Sequence, residues 1–152
     1  MSHRVVVDAS VVRAAGETDH PVSSASRACL ETIRKICHHV VITREIREEW
    51  DRHMSNFSRK WKVSMAARRK LQSKVVPAPL QLRWDRYSNG AREAIEKDCC
   101  ILEAALAADH VVVTLDEALR QALSEQRDGQ AVFRSLCWIN PVTDGVGALA
   151  AL

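Results

Sequence analysis

Three short apolar runs constrain this chain more than anything else in it: RVVV at 4–7, HVVIT at 39–43 and HVVVTL at 110–115. Their β-branched residues favour extended backbone, and the lack of alternation means that both faces of each strand are buried. Between them the apolar period changes to that of a helix. Residues 25–37 place Ala25, Cys29, Ile33, Ile36 and Cys37 on one side, and 56–73 carry Phe57, Trp61 and Met65 at i, i+4, i+8. Further helices are predicted from Arg44 to about His53, over 91–108 and over 117–125, and a last strand over 132–139 stopped by Pro141. Buried strands alternating with helices specify an α/β fold: a three-layer α/β/α sandwich around a parallel sheet of about four to five strands, Rossmann-like in topology.

Breaker residues mark the joints. Gly16 to Ser24 reads as a loop, and Ser10 stands where it would cap the segment after the first strand. Pro77 and Pro79 exclude 75–80 from a central strand. Asn89-Gly90 and Asp128-Gly129 read as turns. One domain is expected over 1–143, including a basic helical segment at about 52–84. The small, apolar tail at 144–152 is expected either to be disordered or to pack on a partner chain. No internal repeat is visible.

No apolar run approaches the roughly 18–20 residues that span a bilayer, and the N-terminus lacks a signal-peptide pattern. The expected setting is cytoplasmic, with no membrane partner. The five cysteines are odd in number and form no C-x-x-C pair, so they read as reduced core residues. His38 and His39 are assigned helix-end or surface roles, and no zinc is assigned.

Charge is segregated. The net value is only +3, yet no acid occurs from Arg52 to Trp84, a stretch holding Arg59, Lys60, Lys62, Arg68, Arg69, Lys70, Lys74 and Arg83. Such a chain suits a polyanion on one surface and a cation on another. Arg68, Arg69 and Lys70 are the candidate RNA-phosphate contacts. Trp50, Trp61, Trp84 and Tyr87 punctuate the same region and read chiefly as core, with base stacking as the alternative.

Four acids form the candidate site. Asp8 and Asp116 each follow a buried strand, and open parallel sheets bind ligands beyond the carboxyl ends of their strands. Glu49 falls on the stripe of Ile46, Trp50 and His53, whereas Glu45 and Glu48 lie to one side. Asp98 falls on the stripe of Cys99, Leu102, Ala105 and Leu106, away from Glu93, Glu96 and Glu103. A carboxylate on an apolar stripe is costly unless paired or bound to a cation. One ion pair with Arg4, Arg13 or Arg44 is compatible with this pattern; four acids aimed at one sheet end fit a cation better. Carboxylates are hard ligands suited to Mg²⁺ or Mn²⁺.

These segments together (VVVDASV, VVIT with Glu49-Trp50, EKDCCILEAALAADHVVVTLD and the closing WINP) resemble the PIN domain, a family of small metal-dependent ribonucleases. The resemblance implies that Asp8, Glu49, Asp98 and Asp116 ligate one or two Mg²⁺ or Mn²⁺ ions, with Ser10 and Thr114 orienting them. It implies in-line attack of an activated water on single-stranded RNA, leaving a 5′-phosphate and a 3′-hydroxyl. A VapC-like toxin or a stand-alone relative is the nearest kind, which brings an antitoxin partner and a homodimer into the expectation. Many members carry another acid where this chain has Ala118; Glu117 either substitutes for it or is a first-turn helix residue. A catalytically silent RNA-binding scaffold of the same fold is the alternative. A receiver-like signalling domain is a more distant one, since the strand at 39–43 ends in Thr43 rather than a phospho-accepting Asp.

Overall fold

The computed structural model describes residues 2–152. Its centre is β1 (Arg4–Val7), flanked by β2 (His39–Val41) and β4 (Val111–Val113). β3 (Leu71–Gln72) extends the sheet beyond β2, and β5 (Cys137–Ile139) extends it beyond β4, giving the order β3-β2-β1-β4-β5 with every pairing parallel. The valines of β1 and β4 are fully or almost fully buried, as apolar runs of this kind require.

Among the described residues there are eight helices: α1 (Ala9–Ala14), α2 (Pro21–Ile36), α3 (Arg44–His53), α4 (Asn56–Ala67), α5 (Asn89–Leu106), α6 (Glu117–Leu123), α7 (Arg127–Ser135) and α8 (Gly147–Ala150). The first four pack among themselves with α8 against α2, while α5, α6 and α7 form a second group. From β1 the chain winds outward to β2 and β3. It then returns through α5 to β4 and continues outward to β5. Right-handed crossovers in opposite directions put the two helix groups on opposite faces, completing the three layers. This order differs from the 2-1-3-4-5 arrangement of receiver-type sheets and follows the Rossmann-type 3-2-1-4-5 progression. None of the described helices is long and apolar enough to cross a membrane.

Several predicted boundaries shift for local reasons. α2 starts at Pro21, inside the predicted loop, because proline suits a first helical position and His20 Nδ1 accepts from Val22 N–H. Asp8, not Ser10, occupies the N-cap position of α1. The helix predicted over 56–73 stops at Ala67. Arg69 turns left-handed at φ 57°, Lys70 N–H bonds back to Met65 O, and the chain then enters the sheet as β3. Asn89-Gly90 and Asp128-Gly129 are first turns of α5 and α7, the former capped by the Ser88 hydroxyl, and only the last part of 132–139 is strand. The proline segment stays outside the sheet, tied to α5 through Ala78 N–H and Leu80 N–H donating to Glu103.

The tail expected to be disordered or partner-bound turns back instead. Leu149 is buried, and its carbonyl meets Nε2 of the buried His38, whose Nδ1 accepts from His3 N–H. His38 thus stands at the end of α2, where its N–H donates to Ile33 O, and it is a buried tie and not a surface group. Trp50 and Trp61 are core as well. Their indoles donate to Val7 O at 2.9 Å and Leu30 O at 2.8 Å.

The Trp50 bond anchors the last residue of β1, immediately before Asp8. Trp50→Phe removes it and leaves a partial void. Urea denaturation should show a loss on the order of 2 kcal/mol; a change within experimental error would mean that the strand end is held by the ladder alone.

Candidate metal centre

Asp8 is fixed from both sides. Its N–H continues the ladder by donating to Val113 O at 2.9 Å, so the residue sits between β1 and β4, where the order of strands reverses direction. Its Oδ2 accepts from Ser10 Oγ at 2.7 Å and Thr114 Oγ1 at 2.9 Å. The hydroxyls are themselves oriented, Ser10 Oγ by Leu115 N–H and Thr114 Oγ1 by Asp116 N–H. No side chain among the described residues donates to Oδ1.

Asp116 follows β4. Its Oδ1 caps α6 by accepting from Ala118 N–H and Leu119 N–H, at 2.9 and 3.2 Å. Asp98, on the stripe of the buried Ile95 and Leu102 of α5, lines the same crevice as Asp116. Asp8, Glu49, Asp98 and Asp116 all line one crevice of about 140 Å³, together with Ser10, Arg13, His53, Lys97 and Cys100. The four acids chosen from the sequence therefore line the same crevice.

Their states differ. Burial raises the Asp98 carboxyl, and the neighbouring Asp8 and Asp116 push it further, to about 7. Asp8 is raised chiefly by burial, against the pull of the Ser10 and Thr114 hydrogen bonds. Glu49 stands apart, with its side chain 41% exposed, paired with Arg52 and lying 3.7 Å from His53 Nε2. Cys100 lines the crevice, but burial pushes its thiol up to about 12, so it supplies no thiolate at neutral pH. Glu117 is elsewhere. It accepts from Asn140 Nδ2 at 2.9 Å and faces Arg120, so it does not replace the acid absent at Ala118.

No protein-family model matches this chain. No curated protein matches it either.

Among the described residues no three His, Cys, Asp or Glu side chains stand close enough to form a ready-made metal site. The donor set nevertheless suits a hard cation, being carboxylate alone at its centre. The neighbouring Asp8 and Asp116 charges raise the Asp98 carboxyl, and a cation would relieve the same repulsion. Engaging Glu49 would require it to leave Arg52.

The basic triplet lies at the other edge. Lys70 O accepts from Val40 N–H at the amino end of β2, so Arg68, Arg69 and Lys70 precede β3 on the side of the sheet away from the acids. The cations at the crevice rim are Arg13, from the last turn of α1, and Lys97, beside Asp98. Lys97 has no signal in the sequence beyond adjacency to Asp98, from which it lies about 100° around the helix.

The raised Asp98 carboxyl has a consequence for stability. Its folded pKa lies above the unfolded one, so the folded state holds that proton more tightly. The associated stability is complete below about pH 4 and is lost as pH climbs through 7. Without divalent cations, the wild-type thermal midpoint should fall relative to Asp98→Asn between pH 5 and 8. Parallel curves would show that Asp98 carries no such strain.

Proposed function

We propose that this chain is a metal-dependent endoribonuclease of PIN-domain type, hydrolysing phosphodiester bonds in single-stranded RNA. One observation carries the reading: Asp8, Asp98 and Asp116 line one crevice at the switch point of a parallel sheet, and only Arg13 and Lys97 bring full positive charge to it. Buried like charges are kept apart in a structural core, and they gather where a ligand is to neutralise them.

Asp8, Asp98 and Asp116 would hold Mg²⁺ or Mn²⁺, with Glu49 as a further ligand on turning from Arg52. The bound cation supplies a Lewis acid for a phosphate oxygen and lowers the pKa of water. Ser10 and Thr114 keep the Asp8 carboxylate in one orientation by holding Oδ2, which leaves Oδ1 for the ligand. Arg13 and Lys97 offer charge to the phosphate at the rim. A bound cation would favour the carboxylate form of Asp98 over its protonated form.

The exposed Ala118 supports a second reading, an RNA-binding scaffold without turnover, since an acid often present in this family is missing there. Within the nuclease reading, a toxin paired with an antitoxin that inserts into the crevice is one form, and a homodimer is compatible with it.

Cleavage of a mixed RNA pool with Mn²⁺ separates the two. Wild type should cut, Asp8→Asn should lose about 100-fold or more, and Thr114→Val about 10-fold, as expected for a residue that orients a ligand. Equal cleavage by wild type and Asp8→Asn would remove the crevice from the chemistry. Binding without cleavage in any divalent metal would favour the scaffold.

A further inference from the structure

A second charged feature lies beyond the crevice. Arg83 and Arg86, at the short 3-10 turn Trp84–Arg86, and Arg127, the first residue of α7, line one depression with Gln126 and Asp128. All three arginines are exposed, and none forms an ion pair among the described residues. Asp128 lies among them, yet its oxygens are directed to other donors. Oδ1 accepts from the Tyr87 hydroxyl at 2.6 Å and Gly129 N–H at 2.8 Å, and Oδ2 accepts from Arg83 N–H at 2.7 Å.

The scaffold beneath the arginines is rigidly tied. Ser88 N–H and Oγ both donate to Glu125, and Gln126 Nε2 donates to Arg86 O. Gly129 packs so closely that a Cβ there would strike the Leu123 carbonyl and the Tyr87 hydroxyl. Two chain segments are thus pinned together in a way that gathers three like charges. Guanidinium groups with no salt-bridge partner, on a fixed frame whose one carboxylate, Asp128, is held by other donors, are suited to phosphate oxygens, which they bind through paired N–H donors.

Position narrows the ligand. Asn89 and Asp98 are nine residues apart on α5, which is about 14 Å at 1.5 Å per residue. α6 starts at Asp116 in the crevice and leads to Glu125 beside Ser88. The arginines therefore stand outward from the acids on the same carboxyl edge of the sheet, separated from them by a few nucleotides of extended strand.

We propose that Arg83, Arg86 and Arg127 form a phosphate-binding subsite that grips the backbone of single-stranded RNA a few nucleotides from the bond placed at the acidic crevice. The subsite rests on the ribonuclease reading and adds a length requirement to it. Substrates that span both features bind more tightly than those that reach only the acids.

The test uses the full chain with Asp8→Asn, which binds without cutting, and labelled oligouridylates of 4 and 12 nucleotides over a KCl series. The longer probe should bind at least about 10-fold more tightly. Adding R83Q, R86Q and R127Q should abolish that preference and make the salt slope for the 12-mer shallower by about 2, the value for three released phosphate contacts on a single strand. Adding R68Q, R69Q and K70Q instead removes the same charge from the far edge and should preserve the preference. Equal thermal midpoints establish that both sets are folded. An unchanged 12-mer affinity and slope in the first set, or equal losses in both sets, overturns the subsite. So does polyglutamate binding at the arginines with no 12-mer binding, which would mark a dock for an acidic protein. Wild-type cleavage alongside an unchanged slope removes the subsite alone; neither binding nor cleavage of RNA by wild type removes the ribonuclease reading with it.

Discussion

The pairing of β1 with β4 governs the rest of the molecule. Winding outward from this central pair in both directions leaves a crevice above it, and Asp8 is locked there by the Val113 carbonyl and two hydroxyls. From that fixed carboxylate everything else takes its place. β4 delivers Thr114 and Asp116, α5 delivers Asp98 across the crevice, and α3 delivers Glu49 while its Trp50 indole secures the end of β1.

Such an arrangement works against stability. Burial and mutual repulsion hold the Asp98 carboxyl far above its ordinary range, and the nearby cations Arg13 and Lys97 sit at the rim rather than between the acids. Elsewhere the chain pairs its acids conventionally: Asp109 with Arg4, Glu48 with Arg44, Asp51 with Lys62. Conflicts between local stability and placement concentrate at functional sites. Carboxyls raised by one another's charge distinguish this crevice from an ordinary buried charge.

Much of this was legible in the sequence. The valine runs announced the parallel sheet, and the helical wheels selected Asp98 and Glu49 over their acidic neighbours. What escaped was decided by tertiary partners. Nothing in RRKLQS marks a strand; it becomes β3 because the free edge of β2 accepts it after a left-handed turn at Arg69. That short strand also moved the basic triplet to the far edge, since a residue preceding a parallel strand cannot share an edge with residues following one. Conversely, Arg83, Arg86 and Arg127 are too far apart in sequence to look like a cluster. Only the hydrogen bonds joining Ser88 to Glu125 and Arg83 to Asp128 bring them together. Glu117 shows the same limit, because its partner Asn140 comes from the end of β5.

The claim on which all of this turns is that the crevice takes a divalent cation. Titration of Mn²⁺ into the protein, followed by the paramagnetic resonance signal of the free ion, measures that without reference to any substrate. Saturable loss of the free-ion signal in wild type, weakened at least about 10-fold by Asp8→Asn and by Asp98→Asn, is the predicted result. No saturable loss in wild type, or equal binding in all three proteins, would contradict it.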